Sequence, residues 1–165
     1  YPVCTMGAHV SAVPNEQNGR FTPLETRGIT AMSGAFGYEM DLGKCTEEEK
    51  RKIRCQVETY KKHYNLIHDG DYYRLSSPFQ DSSYTAWEQV SAGQKEALVN
   101  VVMGCTHSAP PFRTLRLKGL NPSFQYQVDG IGETYSGGEL MKAGYPLPQI
   151  RGDYPAFQVY LKAVG

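Results

Sequence analysis

The chain has 165 residues, and its 17 Lys and Arg residues balance its 17 Asp and Glu residues, so the formal net charge is zero. This balance leaves no basic field to attract nucleic acid or an anionic membrane surface, and we expect neither as a partner. No apolar run approaches the roughly 18 residues that a membrane span needs. With 17 Gly and 10 Pro, the composition favours a turn-rich globular fold over a helical bundle.

The four cysteines are scattered through the chain, and none lies in a C-x-x-C pair or near a histidine at zinc-ligand spacing. They are Cys4, Cys45, Cys55 and Cys105. Two disulfides are possible, but reduced thiols are favoured because a chain of this length needs no covalent staples. We therefore predict a cytoplasmic protein without a metal or a cofactor.

The first part of the chain alternates helix and strand patterns. Residues 22–25 (TPLE) form a candidate capping box with Pro23 at the first helical position. The short helix that follows is predicted to end at Ser33-Gly34. Residues 36–42 then alternate apolar and polar side chains, which is the period of a β-strand.

A second, longer helix is predicted from stronger signals. Residues 46–49 (TEEE) form another capping box, and their carboxylates suit the positive end of a helix dipole. Gly70 is expected to end the helix in the left-handed conformation. The helix carries one apolar stripe at spacings of three and four residues. Its members are Ile53, Val57, Tyr60, Tyr64 and Ile67.

The last ninety residues have the period of β-strands. Apolar or alternating segments at 97–103, 115–118, 124–128 and 157–164 are separated by Gly and Pro turns. Several short strands with such turns are typical of an antiparallel sandwich.

A change of pattern at Ser76-Ser77-Pro78 predicts two domains, residues 1–75 and residues 76–165. The first domain has too few strands to close a parallel barrel or to be covered on both faces as a parallel sheet. We therefore interpret it as the tail of something larger. The sequence also begins at Tyr1 rather than Met, which agrees with that interpretation.

Glu39 and Asp41, on the strand predicted after the first helix, are candidates for acid/base chemistry. Alternate residues of a strand share one face and lie about 7 Å apart. This separation falls in the range used by the carboxylate pair of inverting glycosidases. The alternative is that both residues lie at a strand end and pair with Lys or Arg.

The histidines differ in their surroundings. His9 lies among small residues in the segment 6–15, which is predicted to be a loop before a capped helix, and functional residues of β/α proteins concentrate in loops after the strands. The alternative is that backbone hydrogen bonds hold His9. His63 and His68 are five residues apart, so they do not share a helix face as a metal pair would. His107 lies in a Gly/Ser/Pro loop without a recognisable partner.

Three aromatic residues, Phe79, Tyr84 and Trp87, lie near the predicted domain boundary. Aromatic rings can form a platform on which a sugar stacks. The alternative is that the three rings pack in the core or between the domains. The sequence leaves both possibilities open.

Five segments carry a family resemblance, and they follow one another along the chain. They are 6–15 (MGAHVSAVPN), 22–28 (TPLETRG), 33–42 (SGAFGYEMDL), 70–75 (GDYYRL) and 138–148 (GELMKAGYPLP). Together they resemble the C-terminal region of the α-galactosidases of glycoside hydrolase family 36. The resemblance covers essentially the whole chain.

The resemblance implies a fold and an activity. The fold is the last β/α portion of a (β/α)8 TIM barrel followed by a C-terminal antiparallel β-sandwich domain. The activity is that of a retaining enzyme that releases terminal α-linked galactose from melibiose-type and raffinose-type oligosaccharides. Because a complete (β/α)8 barrel takes about 250 residues, we expect this chain to be the end of a longer enzyme.

The resemblance assigns no catalytic residue to this chain, because both catalytic Asp motifs of the family lie upstream of the matched region. It therefore implies that the chain alone is inactive and that the missing upstream barrel is its partner. It implies a substrate-binding role for His9 at the rim of the pocket and a structural role for Glu39 and Asp41. Family members commonly form homo-oligomers, which we expect here too.

Two other functions remain open at this point. One is a stand-alone β-sandwich module that binds carbohydrate without cleaving it, through exposed aromatic residues such as Trp87. The other is a subunit that completes, in trans, a barrel made by another polypeptide.

Overall fold

The structure, a computed structural model, describes residues 2–77, 79, 83–104 and 111–164. Within these ranges, helices are too short or too polar to cross a membrane. The cysteines at positions 4, 45 and 55 are free thiols, whereas Cys105 and His107 lie outside the described residues. Pro78, at the predicted change of pattern, also lies outside them.

The first part of the structure is a strand–helix–strand unit followed by two helices. Its elements are β1 (Gly7–Ser11), α1 (Leu24–Ala31), β2 (Ala35–Glu39), α2 (Glu47–Lys62) and α3 (Tyr64–Asp69). The two strands are parallel, with Gly7 opposite Ala35 and Ser11 opposite Glu39. The helices cover one face of this pair, because Val10 packs with Leu24 of α1 and Ile53 of α2 in one buried cluster.

The predicted capping box at residues 22–25 is wrong. The helix begins at Leu24, and its N-cap is Pro23, which makes no side-chain capping bond. Thr22 therefore lies one residue too early to cap the helix. Its carbonyl oxygen instead accepts a hydrogen bond from Nε of Arg27 at 2.9 Å.

The capping box at residues 46–49 is confirmed, because the Thr46 hydroxyl and the Glu49 side chain bond to each other's backbone N–H groups. The apolar stripe spans two helices rather than one, since His63 interrupts them with φ −106°. Gly70 ends α3 but is not left-handed, as its φ is −74°. Glycine fits here because a Cβ atom would lie 2.4 Å from the carbonyl oxygen of Leu66.

The second part of the structure is built on a six-stranded antiparallel sheet, with strand order β3-β4-β5-β10-β7-β8. The strands are β3 (Asp71–Arg74), β4 (Tyr84–Val90), β5 (Glu96–Met103), β7 (Gln125–Val128), β8 (Thr134–Ser136) and β10 (Ala156–Val164). The predictions at 97–103 and 157–164 are thereby confirmed. Because β3 already belongs to this sheet, the sheet begins before the predicted boundary between residues 75 and 76.

The layer that packs on this sheet is smaller than a full second sheet. It contains a two-stranded sheet of β6 (Thr114–Leu115) and β9 (Tyr145–Pro146), together with α4 (Gly137–Lys142). The strand predicted at 115–118 is therefore much shorter than expected. Leu117 instead donates its N–H to the carbonyl oxygen of Leu140 in α4. Leucines 115, 117, 120 and 140 share one buried cluster with the central strands.

The opposite face of the sheet packs against the helices of the first part. Leu66 and Ile67 of α3 form a buried cluster with Leu98 of β5. Two polar contacts also cross the junction. Thr26 Oγ1 donates to the carbonyl oxygen of Tyr154 at 2.5 Å, and Lys62 Nζ lies 3.0 Å from Asp129 Oδ2. The sheet is thus covered on both faces.

Candidate functional site

The parallel pairing of β1 and β2 brings their carboxyl ends side by side. Along a strand, side chains point alternately to opposite faces, so His9 and Glu39 point away from the face that buries Val10. His9 Nε2 and Glu39 Oε2 lie 2.9 Å apart. The two side chains are 54% and 74% exposed. This uncovered face therefore carries one polar pair at the ends of adjacent parallel strands.

The segment after β1 folds into a compact turn beside this pair. The Asn15 side chain accepts hydrogen bonds from the backbone N–H groups of Gln17 and Asn18, and the Asn18 side chain accepts one from Arg20 N. Gly19 has φ +69°, the left-handed conformation that glycine adopts at little steric cost. These local bonds explain how a segment without regular secondary structure keeps one shape.

Arg27 of α1 connects this turn to β1 through hydrogen bonds. Its Nη1 donates to the carbonyl oxygen of Ser11 at 2.5 Å, and its Nε donates to the carbonyl oxygen of Thr22. Burial lowers the pKa of Arg27, while the carboxylate of Glu49 acts in the opposite direction. A guanidinium stays protonated in proteins, so a positive charge sits beneath the turn.

A shallow cavity of about 190 Å³ lies between the turn and the end of β1. Its lining is polar and includes Ser11, Asn15, Asn18, Arg20 and Arg27. These groups offer amide and guanidinium donors together with carbonyl and hydroxyl acceptors. Such a surface can hydrogen-bond sugar hydroxyl groups.

The expectation that Glu39 and Asp41 share a strand face is wrong, because β2 ends at Glu39. Asp41 instead caps a short 3-10 helix (Leu42–Lys44), and its carboxylate accepts a hydrogen bond from Gly43 N at 2.9 Å. It also lies 3.8 Å from Lys44 Nζ. Asp41 therefore has a local structural role, and Glu39 pairs with His9.

His63 and His68 occupy separate environments, as their spacing predicted. His63 is buried against the ring of Tyr160, with ring centroids 4.5 Å apart. Burial, together with the neighbouring Lys62, lowers the pKa of His63. His68 Nε2 lies 2.6 Å from the hydroxyl oxygen of Tyr60. Among the described residues, no three potential metal ligands gather at one place.

The tryptophan among the three aromatic residues near the predicted domain boundary is buried. Trp87 is 7% exposed, and its Cα partner across the sheet is Asn100. Phe79 is exposed, and Tyr84 is half-buried with the Arg113 guanidinium over its ring. A sugar cannot stack on the face of a tryptophan that the protein already covers. The hypothesis of a carbohydrate-binding module therefore loses its main support, which was an exposed Trp87.

Sequence reasoning predicted His9 as a site residue in a loop, but the structure places it in β1. Sequence reasoning also did not predict the partner of His9 or the arginine that holds the neighbouring turn. Glu39 was predicted either to act with Asp41 or to pair with Lys or Arg, and neither prediction gave His9 as its partner. Arg27 gave no sequence signal, because its acceptors are carbonyl groups of Ser11 and Thr22. The feature that could have identified Glu39 as the partner of His9 is the register of the two parallel strands, which places Ser11 opposite Glu39.

Family comparisons agree with this architecture. A model described as Melibiase matches residues 1–70, and a model described as Glycosyl hydrolase family 36 C-terminal domain matches residues 84–161. A parallel β/α unit followed by an antiparallel β domain, matched by these two models, places the chain among the glycoside hydrolases. The chain belongs to glycoside hydrolase family 36.

Curated relatives match almost the whole chain. It is 49% identical over 158 residues to the bifunctional α-galactosidase/sucrose kinase AgaSK of Mediterraneibacter gnavus, covering 96% of this chain and 17% of that protein. It is 48% identical over 164 residues to α-galactosidase AgaA of Geobacillus stearothermophilus, covering 99% of this chain and 22% of that protein. The chain thus spans about a fifth of the length of these relatives.

Solved structures give the same result. The galactosidase domain of AgaSK matches with a TM-score of 0.96 at 48% identity, covering 99% of this chain and 23% of that chain. A variant of AgaA from Geobacillus stearothermophilus in complex with raffinose matches with a TM-score of 0.95 at 47% identity, with the same coverage. The likeness therefore extends across both parts of the fold.

Proposed function

We propose that this chain is part of an α-galactosidase, a retaining enzyme that releases terminal α-linked galactose from melibiose-type and raffinose-type oligosaccharides. The observation that carries the proposal is the identity of 48–49% to two α-galactosidases over 96–99% of the chain. AgaA variants have been solved in complex with raffinose and with stachyose, which supports this substrate class.

We further propose that residues 1–75 are the last β/α portion of a (β/α)8 TIM barrel and that residues 76–165 are the C-terminal β domain, with β3 at the end of the first part already joining the sheet of the second. Parallel strands are nearly always buried on both faces, yet the face of β1 and β2 that carries His9 and Glu39 is exposed. Each strand also has one edge that pairs with no described strand. Further parallel strands at these two edges would complete the sheet and enclose the exposed face.

An apolar groove beside β2 supports this proposal, because it offers a place for the preceding barrel helices to pack. The groove has a volume of about 470 Å³. Its apolar side chains come from β2 and from the α2–α3 region: Phe36, Tyr38, Val57, Tyr60 and Tyr64. An exposed aromatic groove is commonly a surface for another protein segment. We propose that an upstream helix of the parent enzyme occupies it.

The activity proposal predicts no turnover by the purified chain with an aryl α-galactoside. A retaining reaction needs a nucleophile and an acid/base carboxyl group about 5 Å apart, and the family resemblance places both upstream. Co-expression with the upstream region of the parent enzyme is expected to produce activity. Steady turnover by this chain alone, after exclusion of host enzyme, would contradict the prediction.

The groove can be tested in the same co-expression assay. Tyr64→Lys places a charge in the groove and is expected to reduce the recovered activity severalfold. Tyr72→Lys is the matched control, because Tyr64 and Tyr72 are 48% and 51% exposed and only Tyr64 lines the groove. Equal losses in the two variants would argue against docking at the groove.

We propose that His9 binds substrate at the rim of the pocket. If Glu39 accepts the Nε2 proton of His9, the other ring nitrogen, Nδ1, is left as an acceptor. That nitrogen could accept a hydrogen bond from a sugar hydroxyl. In the full-length enzyme, His9→Ala is expected to raise KM for raffinose about tenfold, corresponding to one hydrogen bond, with little change in kcat. An unchanged KM would remove His9 from the substrate site.

Two further properties are proposals drawn from the family resemblance and the thiols. We propose that the parent enzyme is cytoplasmic, which the free thiols of Cys4, Cys45 and Cys55 support because reducing compartments preserve them. We also propose that it forms a homo-oligomer. Light scattering on the full-length enzyme would determine the number of subunits.

A further inference from the structure

A carboxyl group is buried in the main apolar core of the β domain. Glu88 lies in the middle of β4 and is fully buried. On the same face of the strand, its neighbours Ala86 and Val90 belong to the largest hydrophobic cluster. The residues opposite it are Tyr73 on β3 and Val99 on β5. A charged carboxylate in these surroundings is costly unless it is paired and hydrogen-bonded.

Few interactions offset the free-energy cost of burying the Glu88 carboxyl group. The backbone N–H of Lys118 donates to Oε1 at 2.6 Å, whereas Oε2 is buried and has no hydrogen-bond partner among the described residues. The ammonium group of Lys118 is directed elsewhere, since its Nζ donates to the carbonyl oxygen of Arg74 at 3.0 Å. Tyr73, a titratable residue on β3, lies opposite Glu88 in the sheet, and Tyr126 and Tyr145 belong to the same buried cluster as Ala86 and Val90.

The bond from Lys118 joins the two layers of the β domain. Lys118 lies between Leu117 and Leu120, which are both buried in the core. Other bonds also hold this segment: Leu117 N donates to the carbonyl oxygen of Leu140, and Gln94 Nε2 donates to the carbonyl oxygen of Gly119. Glu88 on β4 is therefore the buried point at which the sheet bonds to this segment, and Arg74 on β3 is an exposed one.

We propose that Glu88 is a pH-sensitive group of the β domain: its neutral carboxyl group is tolerated in the apolar core, and loss of its proton to solvent in mildly alkaline solution destabilises the domain, because one bond from Lys118 N and an Oε2 atom without a partner among the described residues leave the buried charge poorly compensated. Burial raises the pKa of Glu88 from 4.5 to about 8, although the N–H and the charge of Lys118 oppose this rise. This inference concerns the β domain and does not depend on the proposed enzymatic activity.

The sign of the effect follows from proton binding. Between pH 4.5 and about 8, the folded protein keeps a proton on Glu88 that the unfolded chain has released. Stability therefore falls as pH rises through this range and levels off above the folded-state pKa. For a single group with these values, the unfolding equilibrium constant is expected to increase on the order of a hundredfold between pH 6 and pH 9.

The test compares urea unfolding of the 165-residue chain and its Glu88→Gln variant at pH values from 6 to 9. The amide keeps an oxygen that can accept from Lys118 N but cannot ionise, so the hundredfold change should be absent from the variant. Glu58→Gln, which removes an exposed carboxyl group of α2, is the control and should keep the pH dependence of the parent chain. The same pH dependence in all three proteins would overturn the proposal.

A second measurement on the unchanged chain keeps the test decisive if Glu88→Gln fails to fold. The carboxyl carbon of Glu88, followed by NMR, is expected to titrate near pH 8. Exchange of the Val99 amide hydrogen, in the buried centre of β5, should accelerate over the same range by more than the tenfold per pH unit of base catalysis, because the unfolding equilibrium constant rises as well. A titration midpoint near 4.5, or an exchange rate that follows base catalysis alone, would contradict the proposal.

Discussion

Replacing Gly137 with Ala is expected to destabilise the chain by about 3 kcal/mol, because a methyl group cannot be accommodated there without moving the backbone. Gly137 is the first residue of α4. A Cβ atom at this position would lie 2.1 Å from the carbonyl oxygen of Asn121 and 2.9 Å from a ring carbon of Tyr126. The carbonyl belongs to the main chain, so the clash cannot be relieved by rotating a side chain.

Gly138→Ala is the matched control, since it makes the same change one residue later. A Cβ atom there would lie 3.4 Å from the carbonyl oxygen of Pro122, which is an ordinary contact, and Ala favours a helix by up to about 1 kcal/mol over Gly. We expect this variant to match or exceed the parent chain in stability. Urea unfolding can be followed by the fluorescence of the single tryptophan, Trp87. Equal stability of the two variants would contradict the close approach at Gly137.

The elements that sequence predicted best are those specified by local chemistry. Thr46 and Glu49 cap α2 as expected, since both partners of a capping box lie within four residues. The strand at 97–103 was also predictable, because a short apolar run bounded by Gly104 is typical of a strand buried on both faces. Its central residues are buried on both faces of the sheet.

Failures of prediction arose where distant residues decide the outcome. Gly70 resembled a left-handed helix end, but the carbonyl groups of Leu66 and Val90 lie so near that they require a residue without a side chain. The segment 115–118 resembled a strand, but its N–H groups bond to Leu140 and to Glu88. These partners lie more than twenty residues away, so the local pattern held no information about them.

In the candidate site too, features that depend on local sequence were predicted and features that depend on distant residues were not. The small residues around His9 led to the prediction that it is a site residue in a loop, whereas its position in β1 and its partner depend on strand pairing and register. Parallel pairing sets Ser11 opposite Glu39 and thereby brings Glu39 to His9. The rest of the site was not predictable from this chain, because the exposed face of β1 and β2 is proposed to meet upstream strands.

Trp87 illustrates how burial can change a functional interpretation. From the sequence alone, a tryptophan near a domain boundary suited either sugar stacking or packing. In the structure it lies on the sheet face that meets the helices, on the same side as Asn100 and Gln158. Gln158 in turn contacts the sulfur of Met32, at the end of α1. Trp87 is therefore better explained by packing between the two parts of the fold.

Tyr126→Phe is expected to cost about 2–3 kcal/mol, because the lost hydroxyl group bonds to two partly buried backbone groups at once. Tyr126 is fully buried. Its hydroxyl donates to the carbonyl oxygen of Gln94 at 2.6 Å and accepts from Asn121 N at 2.9 Å. Phenylalanine fills the same space without either bond, so each backbone group is left without its partner. The sequence separation of Gln94 and Asn121 means that this one hydroxyl joins two loops.

Tyr135→Phe provides the control for this prediction, because Tyr135 on β8 lies directly opposite Tyr126 in the sheet. Its hydroxyl bonds to the Glu133 carboxylate at an exposed position, where substitutions usually change stability by less than about 0.5 kcal/mol. The urea concentrations at the unfolding midpoints of Tyr126→Phe and Tyr135→Phe should therefore differ clearly from each other. A loss for Tyr126→Phe as small as that for Tyr135→Phe would show that water replaces the two backbone bonds. A large loss confined to Tyr126 would identify its hydroxyl as the link between the two loops.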